Sequence, residues 1–257
     1  MSQPPLLSIV VPVYNAADFI RESVKGLDAY LRERPWTHEL ILVDDGSSDA
    51  TPAILESLRS PQVQVLHLRP NQGKFAALRA GMECSRGEVC LFTDADIPYE
   101  YELIERMLFL VREQGFHLVV GDRTLPGSSY VEHLTPLRRM ATRAFSLLIR
   151  LLVTGGLFDT QCGIKAFRGD VARALFPLLH ERGFAGDVEL LYVALKYNLA
   201  IRRVPARLVR QGPTSVRPFR DGALMLASAM HLPRRFRQGL YRSPALARLA
   251  EADAQAK

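Results

Sequence analysis

The sequence predicts an α/β fold, a mostly parallel sheet with helices on both faces, followed by basic amphipathic C-terminal helices. Three observations carry that prediction. Five short runs rich in Val, Ile and Leu, each closed by Asp, Asn, Gly or Pro, read as strands buried on both faces. Segments with helical spacing lie between them, so strand and helix alternate four times, the pattern of βαβ units. The chain has 257 residues, 48% hydrophobic and 23% charged, enough to bury the core of one large domain.

The first strand is Leu7 to Val13, and helical spacing follows from Ala16 to Arg32. Glu39 to Val43 is the second strand and Thr51 to Leu58 its helix; Val63 to Leu68 is the third, with Lys74 to Cys84 after it. Glu88 to Thr93 leads to the helix Tyr99 to Arg112, and His117 to Gly121 is the fifth strand. In such a sheet ligands bind in the crevice outside the carboxyl ends of the strands, so the polar residues after each strand are the place to look.

Beyond residue 121 the alternation stops. His133 to Val153 reads as a helix in which Arg138, Arg139, Arg143 and Arg150 interleave with leucines and other apolar residues. A loop with Gly155-Gly156 comes next, then Asp159 to Phe167, helices around Val171 to His180 and Val188 to Tyr197, and a strand-like Ile201 to Val209. From Gly222 to Ala250 the chain is again helical, basic and apolar, interrupted by Pro233. With no repeat or linker, the expected division is a main domain over residues 1–221 and a basic amphipathic tail over 222–257.

Several function classes are excluded. The apolar stretches are far shorter than the roughly 18 residues that span a bilayer. The N-terminal Met1-Ser2-Gln3-Pro4-Pro5 has no basic region ahead of an apolar core, so the expected location is the cytoplasm. Cys84, Cys90 and Cys162 have no metal-ligand spacing and form no disulfide framework. The net charge of +6 conceals an asymmetry: residues 1–120 hold 17 acidic and 11 basic residues, whereas residues 121–257 hold 10 and 22. An acidic half suits a divalent cation, and a basic half attracts anionic lipid or a phosphorylated substrate. Arginine makes up 28 of the 33 cationic residues, the type suited to forked binding of phosphate. No nucleic-acid-binding module or interleaved stacking aromatics accompany the charge, so nucleic acid is not an expected partner.

Four strand ends supply a consistent set of polar groups: Pro12, Tyr14 and Asn15; Asp44-Asp45-Gly46-Ser47-Ser48; Asn71-Gln72-Gly73-Lys74; and Asp94-Ala95-Asp96. Any one of them alone is ordinary turn chemistry. Together they converge on one sheet edge. Asp94 and Asp96, two residues apart beyond a buried strand, repel each other unless a cation or donor stands between them. Mg²⁺ or Mn²⁺ held there keeps open positions for diphosphate oxygens.

These residues carry a resemblance. The chain resembles the family 2 glycosyltransferases with the GT-A nucleotide-sugar-binding fold, and within them the polyprenyl-phosphate sugar transferases of the dolichyl-phosphate glucosyltransferase type. The matching pieces are VVPVYNA at 10 to 16, ILVDDGSSDAT at 41 to 51, NQGKFAALRAGM at 71 to 82, SRGEVCLFTDADIP at 85 to 98, GDR at 121 to 123, DTQCGIKAF at 159 to 167 and GDVELLYVA at 186 to 194. The last two are the narrower and imply a lipid-phosphate acceptor. The resemblance implies a nucleotide-sugar site on Pro12, Tyr14, Val43 and Asp45, with Gly73, Lys74, Asp94, Ala95, Asp96, Arg123 and Arg210. It implies Asp96 as metal ligand and Arg123 at the diphosphate and acceptor phosphate; Arg139 is a further candidate at the acceptor phosphate, and so is Arg217, in place of a late loop lysine of the mannose-transferring members that has no direct match here. Asp159 and Asp187 are further catalytic candidates, set against a loop cap and a helix N-cap. At Pro98 the mannose-transferring members place a metal-binding side chain, whereas proline offers only a carbonyl.

The implied reaction needs no strong general base, because a phosphate monoester with a second pKa of about 6 is already an anion. Single displacement inverts the anomeric centre. A polyprenyl phosphate lies in a membrane, which gives the basic segments 133–153 and 222–241 an expected role in docking to an anionic surface, peripherally and on the inner face. Two alternatives stand beside this: transfer to a sugar hydroxyl of a polysaccharide or glycolipid, and a catalytically reduced, membrane-associated binding subunit.

Overall fold

The computed structural model describes residues 3–128, 159–209 and 218–255. Arg139, Arg210 and Arg217, and the predicted helix over 133–153 with Arg138, Arg143 and Arg150, lie outside the described residues.

Seven strands form one sheet: β1 (Leu7–Val13), β2 (His38–Asp44), β3 (Val63–His67), β4 (Val89–Phe92), β5 (Leu118–Asp122), β6 (Lys165–Arg168) and β7 (Ile201–Pro205), in the order β3-β2-β1-β4-β6-β5-β7. The helices are α1 (Ile20–Arg32), α2 (Thr51–Ser57), α3 (Lys74–Cys84), α4 (Glu102–Arg112), α5 (Gly169–Leu175), α6 (Gly186–Lys196), α7 (Pro218–Arg237) and α8 (Pro244–Gln255), with a 3-10 turn at Phe176–Leu178. Strands 1 to 5 fall where the sequence predicts them. β6 does not: it pairs antiparallel with both β4 and β5. Between Lys165 and Arg168 it has an apolar run of only two residues.

Because β6 is reversed against both neighbours, β5 runs parallel to β4, and β7 runs parallel to β5. The carboxyl ends of the six parallel strands and the entry to β6 therefore share one edge. Successive side chains of a strand point to opposite faces. Ile9, Val11 and Val13 of β1 join a core with Ile20, Val24, Leu27 and Leu31 of α1 and with Ile104, Met107 and Val111 of α4. Val10 joins the other core, with Phe75, Leu78 and Met82 of α3 and with residues of α5 and α6. The spacing 20, 24, 27, 31 places the apolar residues of α1 on a single stripe, which is why this segment is a helix lying on a sheet.

Met225, Ala229 and Leu232 of α7, Tyr241, and Leu246 of α8 belong to that second core. These apolar residues of the C-terminal segment are packed against the protein, while Met230 and Leu240 remain exposed. Among the described residues no helix is long and apolar enough to cross a membrane.

Candidate active site

The first two loops at the shared edge are laced together. Asn15 N–H donates to Ser47 Oγ (2.9 Å), Ala16 N–H to Thr51 Oγ1 (2.8 Å) and Ser48 N–H to Asn15 Oδ1 (2.8 Å). Asp44 accepts from Ser47 N–H (3.0 Å) and bonds His67 Nδ1 (3.0 Å), whose Nε2 meets Glu56 (2.8 Å). Asp45 accepts Gln72 N–H and Gly73 N–H, one on each carboxylate oxygen and both at 2.8 Å. Burial holds the Asp45 carboxyl above its usual range despite those two donors. Around this frame Tyr14 is exposed, Pro12 is half-buried, and Val43 is sealed with its side chain in the core. Val43 thus shapes the floor of the crevice and presents no surface of its own.

Gly73 caps α3 at φ +96°, and a Cβ there would lie 2.4 Å from the carbonyl oxygen of Arg182. Only glycine fits both the backbone angle and the approach. The next residue, Lys74, reaches into the crevice, and its Nζ lies 2.6 Å from Asp94 Oδ1. Burial opposes the charge on Lys74, but the carboxylates of Asp94 and Asp187 outweigh it and raise its pKa. The other oxygen of Asp94 lies against Gly163, where a Cβ would be 1.7 Å away. The cation that the Asp94-Ala95-Asp96 spacing calls for is thus supplied to Asp94 from within the chain.

Residues 94–97 form a tight turn closed by Ile97 N–H to Asp94 O (3.0 Å). Ile97 has φ +44°, a strained conformation for a β-branched residue. Its side chain is buried in the core and anchors the turn beside Asp96. The carbonyl of Pro98 accepts Val209 N–H at 2.8 Å, and Tyr99 bridges to Leu208. The carbonyl that the sequence leaves at Pro98 is therefore engaged in joining this turn to Val209. No cluster of three or more metal-ligating side chains occurs among the described residues. Asp96 with Asp94 nearby still fits Mg²⁺ or Mn²⁺, which bind through one or two carboxylates and complete their shell with substrate phosphates.

Across the edge, Arg123 grips Asp159. Its Nε donates to Oδ2 (2.8 Å), its Nη2 to Oδ1 (2.9 Å), and its backbone N–H also to Oδ2 (2.9 Å). Burial would raise the Asp159 carboxyl, but the hydrogen bonds and charge of Arg123 carry it below the usual range. Asp159 is therefore an anchor for the arginine expected at the phosphates.

Asp187 lies in the first turn of α6 but is not its N-cap, which is Ala185; it is buried, and its Oδ1 meets Lys165 Nζ at 2.5 Å. Lys165, also fully buried, donates to Cys162 O (2.8 Å) and Thr160 O (3.2 Å) as well. This ammonium holds the Asp159–Gly163 loop from below. Tyr99 holds it from the side, its hydroxyl accepting Gly163 N–H at 2.9 Å. Burial pushes the Cys162 thiol up to about 11, so it is no nucleophile at neutral pH.

The structure thus brings Asp45, Gly73, Lys74, Asp94, Ala95, Asp96, Arg123 and Asp159 to one edge and withdraws Val43 and Asp187 behind it. Sequence reasoning missed Tyr99, Gly163 and Lys165. The glycine inside DTQCGIKAF was the one available signal; a tyrosine after Pro98 carries none.

Comparison with known proteins bears on the same residues. The profile of glycosyl transferase family 2 matches residues 8–176. A dolichyl-phosphate beta-glucosyltransferase of Dictyostelium discoideum is 30% identical over 249 residues, 92% of this chain and 76% of that protein. Among solved structures, mannosyl-3-phosphoglycerate synthase from Rubrobacter xylanophilus superposes with a TM-score of 0.66 at 20% identity, covering 91% of this chain and 75% of that one. Glucosyl-3-phosphoglycerate synthase from Mycobacterium tuberculosis, in complex with Mn²⁺, UDP and its product, gives 0.62 at 20% identity over 89% of this chain and 78% of that one. At that identity the two structures establish the fold alone, the GT-A arrangement.

Proposed function

The chain belongs to glycosyl transferase family 2, and from that premise we propose that it is an inverting transferase moving glucose from UDP-glucose to a polyprenyl phosphate. One observation carries the choice of acceptor. Asp45 is committed to backbone amides, Asp94 to Lys74, Asp122 to Thr124 and Arg203, Asp159 to Arg123 and Asp187 to Lys165. With these carboxylates engaged by donors and cations, none of them stands free to take up the proton of an incoming hydroxyl, which suits an acceptor that is already an anion and disfavours a sugar hydroxyl.

In this reading the Asp45 frame and Tyr14 receive the nucleoside, with Lys74 and Ala95 along the diphosphate and Arg210 as a further ligand of it. Asp96, with Asp94 beside it, would hold Mg²⁺ or Mn²⁺, and such a cation when bound neutralises charge on the departing diphosphate. Arg123, fixed by Asp159, presents positive charge between donor and acceptor without having to reorganise. Arg139 and Arg217 complete the acceptor phosphate site. The protein docks peripherally on the anionic inner face of a membrane through its basic second half; on α7 and the turn after it, Met230 and Leu240 are exposed alongside Arg234 and Arg237.

Incubation with labelled UDP-glucose or GDP-mannose and a polyprenyl phosphate, followed by organic extraction, tests this. Label should enter the lipid phase from UDP-glucose and be released by mild acid. Label in a water-soluble glycan would replace the lipid acceptor with a sugar hydroxyl.

A further inference from the structure

The loop between the 3-10 turn and α6 is pinned along its backbone. Arg79 Nη1 donates to Leu179 O (2.6 Å), and the buried Glu189 carboxylate takes both His180 N–H (2.9 Å) and Glu181 N–H (2.8 Å). The Arg182 carbonyl accepts Phe75 N–H (2.8 Å) in the first turn of α3. Burying a carboxylate such as Glu189 is costly unless donors surround it. Here the donors are the amides of this loop together with the Tyr241 hydroxyl (2.6 Å), so the loop backbone is tied to the core beneath it.

The side chains of the loop are disposed of with one exception. His180 packs on Tyr241, and Glu181 pairs with Arg235 (2.6 Å). Arg182 is exposed, and its side chain makes no hydrogen bond or ion pair with any described residue. It stands beside the crevice, because a Cβ on Gly73 would lie 3.5 Å from the Cβ of Arg182. Lys74, the neighbour of Gly73, has its charge matched by Asp94. Arg182 thus adds an unmatched cation, on a fixed backbone, to the edge where the strand-end loops converge.

We propose that Arg182 binds a phosphate group of the reaction's substrates from the Gly73–Lys74 side of the crevice. The inference rests on the transferase reading above and adds a residue that the family motifs did not single out. A guanidinium offers two parallel N–H donors to phosphate oxygens. Phosphate reaches this edge from two sources, the diphosphate of the donor and the monophosphate of the acceptor.

The test uses the full chain with Arg182→Gln, Arg182→Lys and, as a control, Arg106→Gln on an exposed position of α4. Calorimetric titration with UDP and with uridine, and kinetics with UDP-glucose and a short prenyl phosphate, are compared with wild type. With circular dichroism unchanged, Arg182→Gln should raise either the UDP Kd or the prenyl-phosphate KM by about tenfold, the scale of a charge-assisted hydrogen bond. Arg182→Lys should recover part of the loss, and uridine binding should not change. Weaker UDP binding identifies the donor diphosphate; a raised acceptor KM with intact UDP binding identifies the acceptor phosphate. Constants within about twofold of wild type, the range of an ordinary surface charge, overturn the inference. So does an equal loss in Arg106→Gln. If Arg182→Gln weakens UDP binding while wild type transfers no sugar to prenyl phosphate, Arg182 stands as a phosphate ligand and the lipid-acceptor reading falls.

Discussion

Lys165 and Asp187 meet at 2.5 Å where solvent reaches neither. The lysine opens β6 and the aspartate lies in the first turn of α6, so the pair joins the sheet to a helix while its ammonium also carries two carbonyls of the Asp159–Gly163 loop. Removing one partner leaves a buried charge uncompensated. Lys165→Met or Asp187→Leu alone should cost about 3–5 kcal/mol, and the double variant should recover much of that loss. Urea unfolding of the four proteins, read as a double-mutant cycle, measures it; additive losses would mean that the two groups do not depend on each other.

Asp96→Ala removes the carboxylate expected to hold the cation. Turnover should fall below about a tenth of wild type at saturating Mn²⁺, a loss of at least ~1.4 kcal/mol in transition-state stabilisation. A smaller effect would take Asp96 out of the metal site.

Gly163→Ala tests the seat of Asp94. A methyl group 1.7 Å from the Asp94 carboxylate must displace it and with it the contact to Lys74. Overpacking of this kind costs about 1–3 kcal/mol, and UDP affinity should fall together with the unfolding midpoint. Undiminished UDP binding in a folded Gly163→Ala protein would show that Asp94 need not sit where it does.

Arg123→Lys keeps the charge and loses the fork that spans both oxygens of Asp159. Transfer should fall steeply while UDP binding falls less, as steady-state kinetics and calorimetry would reveal. Equal kinetics in the two proteins would reduce the Arg123–Asp159 fork to a structural tie.

The hydrogen bonds of Asp44, and then of Glu56, raise the pKa of His67 above its ordinary value. A group whose folded pKa is raised contributes stability that is complete below its unfolded pKa of about 6.5 and is lost as pH rises through the folded value. Thermal denaturation should therefore show a Tm that declines on the alkaline side of pH 6.5, and His67→Gln should flatten that decline. An unaltered slope in the variant would assign the decline to another group.

The parallel half of the fold was legible because strands covered on both faces must be apolar throughout. Leu7–Val13 and Val89–Phe92 could hardly be anything else. β6 was illegible because it opens with a lysine, and that lysine is tolerated only through Asp187, 22 residues further on. The same limit governed the site. The motifs that end the strands announced Asp45, Lys74, Asp94 and Asp96, since their position follows from local pattern. That Asp94 is matched by Lys74 and Asp159 by Arg123 depends on side chains 20 and 36 residues apart in sequence. The C-terminal helix α7 shows the complementary gap: periodicity reveals an apolar face, and only packing reveals that α6 covers it.

The grip of Arg123 on Asp159 also closes a ring. Residues 123 and 159 are joined by three hydrogen bonds, at the mouth of β5 and just ahead of β6, although 35 residues separate them in the sequence. The clasp thus fastens the end of β5 to the approach to β6 by charge as well as by the backbone ladder, so the reversal of β6 within the sheet is held at the same edge where the carboxylates lie.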